Sequence, residues 1–155
     1  MQHYLIIFLM SMVPLAELRV AMFYAAGYDL PMKIALPICV VGNMLPVPLI
    51  YFFARKVLEW GANKRYIGKV FTFFLVKGER AGQKLVKATG RGGLILALLL
   101  FVGIPIPGTG AWTGALGASF LNMGFKSTVF AVCMGVVLAG IIMATVSTGV
   151  FNLIG

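Results

Sequence analysis

The sequence predicts an all-α integral membrane protein made of two inverted repeats. Each repeat is a re-entrant helical hairpin plus a transmembrane helix, and a basic cytoplasmic amphipathic helix joins them. Three observations predict this. Of 155 residues, 61% are hydrophobic and only 11% charged, with a mean hydropathy of +1.00, whereas ordinary soluble domains carry about a quarter charged residues. Two apolar stretches are interrupted by residues that cannot continue a helix, near Pro14 and across Ile104-Pro105-Ile106-Pro107-Gly108-Thr109-Gly110. Ten of the thirteen Lys and Arg fall between Arg55 and Arg91, the bias expected of a cytoplasmic segment.

The elements follow in order. Met1-Gln2-His3-Tyr4 places no Lys or Arg before the first apolar run, so this run is expected to stay in the mature chain rather than serve as a signal peptide. Residues 4–26 are apolar but carry Pro14, Glu17 and Arg19. Gly27-Tyr28-Asp29-Leu30-Pro31 reads as a turn. Residues 34–54 are long enough to cross a hydrocarbon core of about 30 Å, with Pro37, Pro46 and Pro48 kinking the helix. In the basic segment, Lys77, Arg80, Lys84, Lys87 and Arg91 recur at steps of three and four. They form one stripe of a helix and are expected to contact anionic inner-leaflet lipids, at about 1 kcal/mol per basic residue. No aromatic residues interleave with them as a nucleic-acid surface would require. Residues 94–120 form the second broken apolar stretch, Asn122-Met123-Gly124 turns, and residues 125–154 cross again. The organisation expected is one membrane domain, with repeat 1 over 1–54, the connector over 55–92 and repeat 2 over 93–155.

An offset of 93 residues aligns Pro14 with Pro107, Ala25 with Ala118, Asp29 with Asn122, Lys33 with Lys126 and Gly42 with Gly135. With the basic segment inside, the first hairpin opens outside and the second inside, and their tips meet near mid-membrane, an arrangement known from transporters. The rival is four full spans with parallel repeats, which would put Lys126 outside.

The candidate site gathers at the two breaks. A charge in the middle of an apolar segment is unfavourable by about 2.5–3.5 kcal/mol on insertion scales and usually faces a pathway, which singles out Glu17 and Arg19. Two residues apart, they point in roughly opposite directions on a helix, so each needs another partner. Glu17 suits proton or cation exchange and Arg19 anion binding; the structural alternative has Glu17 complementing a helix start and Arg19 satisfying broken backbone. A helix starting after Pro107 would offer free amides to an anion, with Gly108, Thr109 and Gly110 at its mouth. Thr109 could cap that helix. Pro105, Trp112 and Thr113 complete this side, and Asn43 is a buried amide in need of partners. The small-residue faces of Gly110, Gly114 and Gly117, and of Gly135, Ala139, Gly140 and Ala144, read as tight helix packing. Cys39 and Cys133 read as packing residues. There is no metal-ligand spacing, cofactor motif or catalytic constellation, so an enzyme is not expected.

The stretches Pro14-Leu15-Ala16-Glu17-Leu18-Arg19, Gly42-Asn43-Met44-Leu45-Pro46-Val47-Pro48 and Phe101-Val102-Gly103-Ile104-Pro105-Ile106-Pro107-Gly108-Thr109-Gly110-Ala111-Trp112-Thr113-Gly114 resemble the small multidrug export family. That family is distantly similar to the DedA/VTT superfamily, which has paired re-entrant hairpins and members that move lipids or polyprenyl phosphates. The resemblance implies Glu17 and Arg19 as one tip's charged pair and residues 107–114 as the other, glycine-rich tip. Where the family continues Gly-Ala-Ile-Pro, this chain has Val20-Ala21-Met22-Phe23. The expected protein is a multi-pass transporter of a bacterial or archaeal inner membrane. It would export or flip an amphipathic, anionic or lipid-phosphate substrate, with possible coupling to protons at Glu17. A cationic multidrug exporter and a non-transport assembly partner are the alternatives. A homodimer is expected, because so short a chain barely encloses a pathway.

Overall fold

The computed structural model describes residues 1–154, and every element among them is an α-helix. The first apolar stretch divides into α1 (Gln2–Met12) and α2 (Glu17–Gly27), with Pro14 in the break. Then come α3 (Met32–Met44) and α4 (Pro46–Ala62), which share Leu45 in helical conformation and form one 31-residue apolar run. This run extends past residue 54, because nothing in Arg55-Lys56-Val57-Leu58-Glu59 breaks a helix and Arg55 pairs with Glu59 one turn on, at 3.0 Å. After a turn come α5 (Gly68–Gly103), α6 (Ala111–Phe120) and α7 (Phe125–Ile154). Three runs are long and apolar enough to cross a membrane: Met32–Ala62, Gly68–Gly103 and Phe125–Ile154. At 1.5 Å per residue, α1, α2 and α6 are each shorter than about 17 Å, too short to span about 30 Å of hydrocarbon.

The helix α5 is two helices joined at Gly90, whose φ of 74° and ψ of 175° lie outside helical values. Only glycine takes that conformation readily. The stripe of basic residues is thereby divided. Lys77 and Arg80 open on a cleft with Lys64, Arg65 and Lys69, while Lys87 and Arg91 open on another, against the turn after α6. The sequence Thr89-Gly90-Arg91-Gly92-Gly93 carried the signal for this bend.

The elements around the two turns match at the 93-residue offset. Asp29 and Asn122 both take left-handed backbone, with φ of 52° and 55°. Leu30 donates to the Ala25 carbonyl and Met123 to the Ala118 carbonyl, each at 2.9 Å. These are the same helix-terminating bonds, and α3 and α7 start 93 residues apart.

The long helix α7 is the axis of the packing. Near its C-terminal end Phe151 covers Gly27, at the end of α2. At its N-terminal end lies the turn at residues 121–124. Tyr51 donates its hydroxyl to the Met123 carbonyl and Arg55 donates to the Asn122 side chain. Midway along, Val136 and Ala139 line a small void with Glu17 and Gly110. The open ends of the two broken helix pairs therefore sit at opposite ends of α7, and their breaks meet at its middle. Small residues permit this packing. A β-carbon on Gly135 would lie 2.7 Å from the Leu99 carbonyl oxygen, and one on Gly42 would lie 2.6 Å from that of Phe8.

The basic half of α5 docks on the end of α6 through two further glycines. β-Carbons on Gly78 and Gly82 would overlap the carbonyl oxygens of Phe120 and Leu121, and rigid backbone cannot yield as a side chain can. Gly82→Val is expected to destabilise the fold by about 1–3 kcal/mol and to lift this half-helix off the bundle. Faster tryptic cleavage at Arg80, Lys84 and Lys87 would show it; an unchanged digestion rate would refute the docking.

Candidate functional site

The two breaks form a clasp. On one side the chain turns through residues 13–16 into α2, and Glu17, its first residue, adopts φ 47°. A non-glycine residue in the left-handed region stores about 1–3 kcal/mol and persists only where its surroundings impose it. Here the surroundings are the opposite break. The Glu17 carboxylate, 7% exposed, accepts from the Trp112 backbone N–H at 3.4 Å, in the first turn of α6. It is a negative charge at a helix N-terminus, worth up to about 2 kcal/mol in a partly buried site, but it caps the facing helix rather than its own.

Arg19 reaches the same break from two residues further along the first turn of α2. Its guanidinium donates to the carbonyls of Ile104, Ile106 and Thr109, the Ile104 contact being 3.4 Å, and to the Thr109 hydroxyl at 2.9 Å. Pro105 and Pro107 take these carbonyls out of the helical ladder; those of Ile104 and Ile106 also accept from the Ile106 and Thr109 backbone N–H groups, at 2.8 and 3.1 Å, while the Thr109 carbonyl has Arg19 as its donor. Gly108, at φ 87°, supplies the left-handed step that folds the elbow back. Thr109 donates onward to the Ile104 and Ile106 carbonyls at 2.9 and 2.8 Å. Trp112 closes the clasp, its indole N–H donating to the Met12 carbonyl at 3.1 Å, at the end of α1. Thr113 bonds back to the Gly110 carbonyl at 3.3 Å.

Several expectations are thereby refined. Glu17 and Arg19 do not pair with each other; among the described residues the ion pair is Arg55 with Glu59. The helix after the elbow starts at Ala111, with Gly110 as its cap and no side-chain cap from Thr109. Its first turn is engaged by Glu17 rather than free for an outside anion. Arg19 satisfies broken backbone, the structural alternative at the sequence level. Asn43 lies 3% exposed on the same small void, with its Oδ1 atom unpartnered. The void is about 10 Å³, the size at which a single water is only just accommodated. Of the residues singled out, Glu17, Arg19, Thr109, Gly110 and Trp112 meet directly. Pro105, Pro107 and Gly108 shape the elbow, and Lys77, Arg80, Lys84, Lys87 and Arg91 lie apart, along α5. Which carbonyls are reached, those of Met12, Ile104 and Ile106 among them, is given only by the fold. The signal for two of them was the Pro-x-Pro spacing, which takes carbonyls on both sides out of the helical ladder.

Gly110 is where the two breaks come closest. Its φ of 176° is ordinary extended backbone, so conformation does not require glycine there. Space does, because a β-carbon would overlap the Glu17 carboxylate.

Comparison with curated proteins and with solved structures gave no match. The family model described as "Putative small multi-drug export protein" matches residues 17–142, a stretch that begins at Glu17 and contains the clasp except for Met12 and the turn at residues 13–16. With three apolar runs long enough to cross a bilayer, the chain belongs to the small multi-drug export protein family of multi-pass membrane proteins.

Proposed function

We propose that this protein is a transporter that moves an amphipathic anion, such as a lipid phosphate, across the membrane by opening the clasp. The single observation that carries the reading is that Glu17 and Arg19, charges set in apolar sequence, hold the opposite break at the middle of α7. In this reading α1 with α2, and the part of α5 after Gly90 with α6, are re-entrant hairpins, so that Gly68–Gly103 bends rather than crosses, and the two units are inverted repeats entering from opposite leaflets. Support comes from the short lengths of α1, α2 and α6, from the matched turns 93 residues apart, and from the opposed open ends of the pairs. The basic end is the cytoplasmic one by its charge bias.

The chemistry follows from what the clasp already holds. The α6 amides and the Arg19 guanidinium form an anion site that an internal carboxylate and backbone carbonyls occupy. Protonated, Glu17 loses its attraction to the α6 N-terminus and frees those amides for an incoming anionic group, while Arg19 exchanges carbonyls for that group. Substrate binding and proton uptake would then favour the open arrangement together. A second protomer would complete the wall of the pathway.

The test is reconstitution in liposomes with fluorescent lipid phosphate, read by quenching from one leaflet. The protein is expected to speed movement between leaflets at least 10-fold over protein-free liposomes, and Glu17→Gln to lose the response to an imposed pH gradient. Rates equal to protein-free liposomes for every probe would refute transport and leave an assembly role. The family description favours a second reading, export of cationic drugs. Ethidium efflux that depends on Glu17 and survives Arg19→Ala would select it.

A further inference from the structure

The two clefts at the basic end differ in what lies behind them. The cleft between the end of α4 and the start of α5, about 750 Å³, is an open dish with Lys64, Arg65, Lys69, Lys77 and Arg80 on its walls. The other, about 400 Å³, lies between α5 and the turn at residues 121–124. It shares Leu94, Leu121 and Met123 with a slot of about 240 Å³ that runs between α5 and α6 as far as Phe101 and Thr113. Apart from Thr113, the side chains along the slot are apolar.

Two glycines on α6 show that the slot is built rather than left over. A β-carbon on Gly114 would lie 2.5 Å from Val102, so this glycine lets α5 approach. One turn later, a β-carbon on Gly117 would meet nothing within 4 Å; there the missing side chain keeps the slot open.

Charge and shape change together at the mouth. Gly90 bends α5 between Lys87 and Arg91, and Leu94 begins the slot less than one turn after Arg91. Glu79, the acidic residue of this cleft, precedes Lys87 by eight residues, about 12 Å along a helix. Asn122 and Ser127 add neutral polar groups. The result is a cationic mouth that adjoins an apolar slot of about 240 Å³.

We propose that this mouth and slot bind one anionic amphiphile from the adjoining leaflet. Lys87 and Arg91 hold its headgroup, and one hydrocarbon chain lies past Gly117 toward Phe101 and Thr113. The inference rests on the transport reading and deepens it by giving the substrate class and its port. The far end of the slot, Thr113, is one helical turn from Gly110, where Glu17 is seated.

The test uses the full chain in phosphatidylcholine nanodiscs, with radiolabelled dodecyl phosphate as probe and empty nanodiscs to subtract partitioning. Saturable binding is expected, with inorganic phosphate and neutral dodecyl maltoside each competing at least 10-fold less well than unlabelled dodecyl phosphate. Gly117→Leu, which fills the slot, and the pair Lys87→Gln with Arg91→Gln are each expected to weaken binding at least 10-fold. Lys64→Gln with Arg65→Gln, in the other cleft, should change it less than 2-fold. If Gly117→Leu fails to fold by circular dichroism, Ala97→Phe fills the slot from its exposed wall and carries the same expectation. Unweakened binding in the slot-filling variant overturns the proposal. So does inorganic phosphate competing as well as the amphiphile, which would mark a site for free phosphate. Saturable binding without any flux would keep the site and sink the transport reading; flux with no saturable binding here would do the reverse.

Discussion

Gly110→Ala is expected to open the clasp. The substitution adds one methyl group at a position whose backbone accepts any residue, since φ is 176°. The methyl group would occupy the place of the Glu17 carboxylate, so either Glu17 leaves the α6 N-terminus or α6 moves off α2. Overpacking of this kind is unfavourable by about 1–3 kcal/mol, and a displaced buried carboxylate adds the loss of a charge-assisted bond of about 1.5–3 kcal/mol. A melting temperature lowered by several degrees in detergent, with flux reduced at least 10-fold, is the expected result. The control is the double variant Gly110→Ala with Glu17→Ala. Removing the carboxylate makes room for the methyl group, so the two effects should fall short of additive by at least about 1 kcal/mol, as for residues in contact. Strict additivity, or a Gly110→Ala protein that melts and transports like the parent, would mean that Glu17 is not seated against Gly110.

What the sequence discloses here depends on the range of each interaction. Composition and the lengths of apolar runs report on the bilayer, so the all-helical membrane architecture is legible from them. The breaks at Pro14 and at residues 104–110 are local chemistry and appear where proline and glycine put them. The left-handed turn residues Asp29 and Asn122 could be paired through the 93-residue offset alone. By contrast, the partner of Glu17 is 95 residues away in α6. No periodicity encodes which helix N-terminus a carboxylate will reach; the residues give only a choice among the facing hairpin, water and a substrate. The glycines show the same limit. Spacing puts Gly110, Gly114 and Gly117 on related faces of one helix, but only the rotation of α6 against α2 and α5 gives them separate tasks. One makes room for a carboxylate, one for Val102, and one for nothing in the protein. Three-and-four spacing makes the basic stripe continuous only on a straight helix, and Gly90 bends this one.

Arg19→Lys is expected to separate charge from shape in the clasp. A lysine keeps the positive charge but replaces a rigid fork of five donors with a single ammonium on a flexible stem. Arg19 spans the carbonyls of Ile104, Ile106 and Thr109 together with the Thr109 hydroxyl, and one ammonium cannot reproduce that spread. Without it the Thr109 carbonyl loses its donor, while those of Ile104 and Ile106 keep only their bonds to the elbow's own N–H groups and the Thr109 hydroxyl. A carbonyl left unpaired is unfavourable by about 1–3 kcal/mol, so Arg19→Ala should destabilise the protein by about 1–3 kcal/mol and Arg19→Lys by more than half as much. Thermal unfolding in detergent measures the first quantity, and lipid-phosphate flux at a temperature where each variant stays folded measures the second. If Arg19 acts only as a strut, flux should follow stability in both variants. If the guanidinium is also where the anion lands, Arg19→Ala should lose flux at least 10-fold even when folded, while Arg19→Lys regains much of the flux without regaining the melting temperature. A lysine variant that matches the parent in both measurements would show that the fork is not used, and the clasp would have to be held by Glu17 and Trp112 alone.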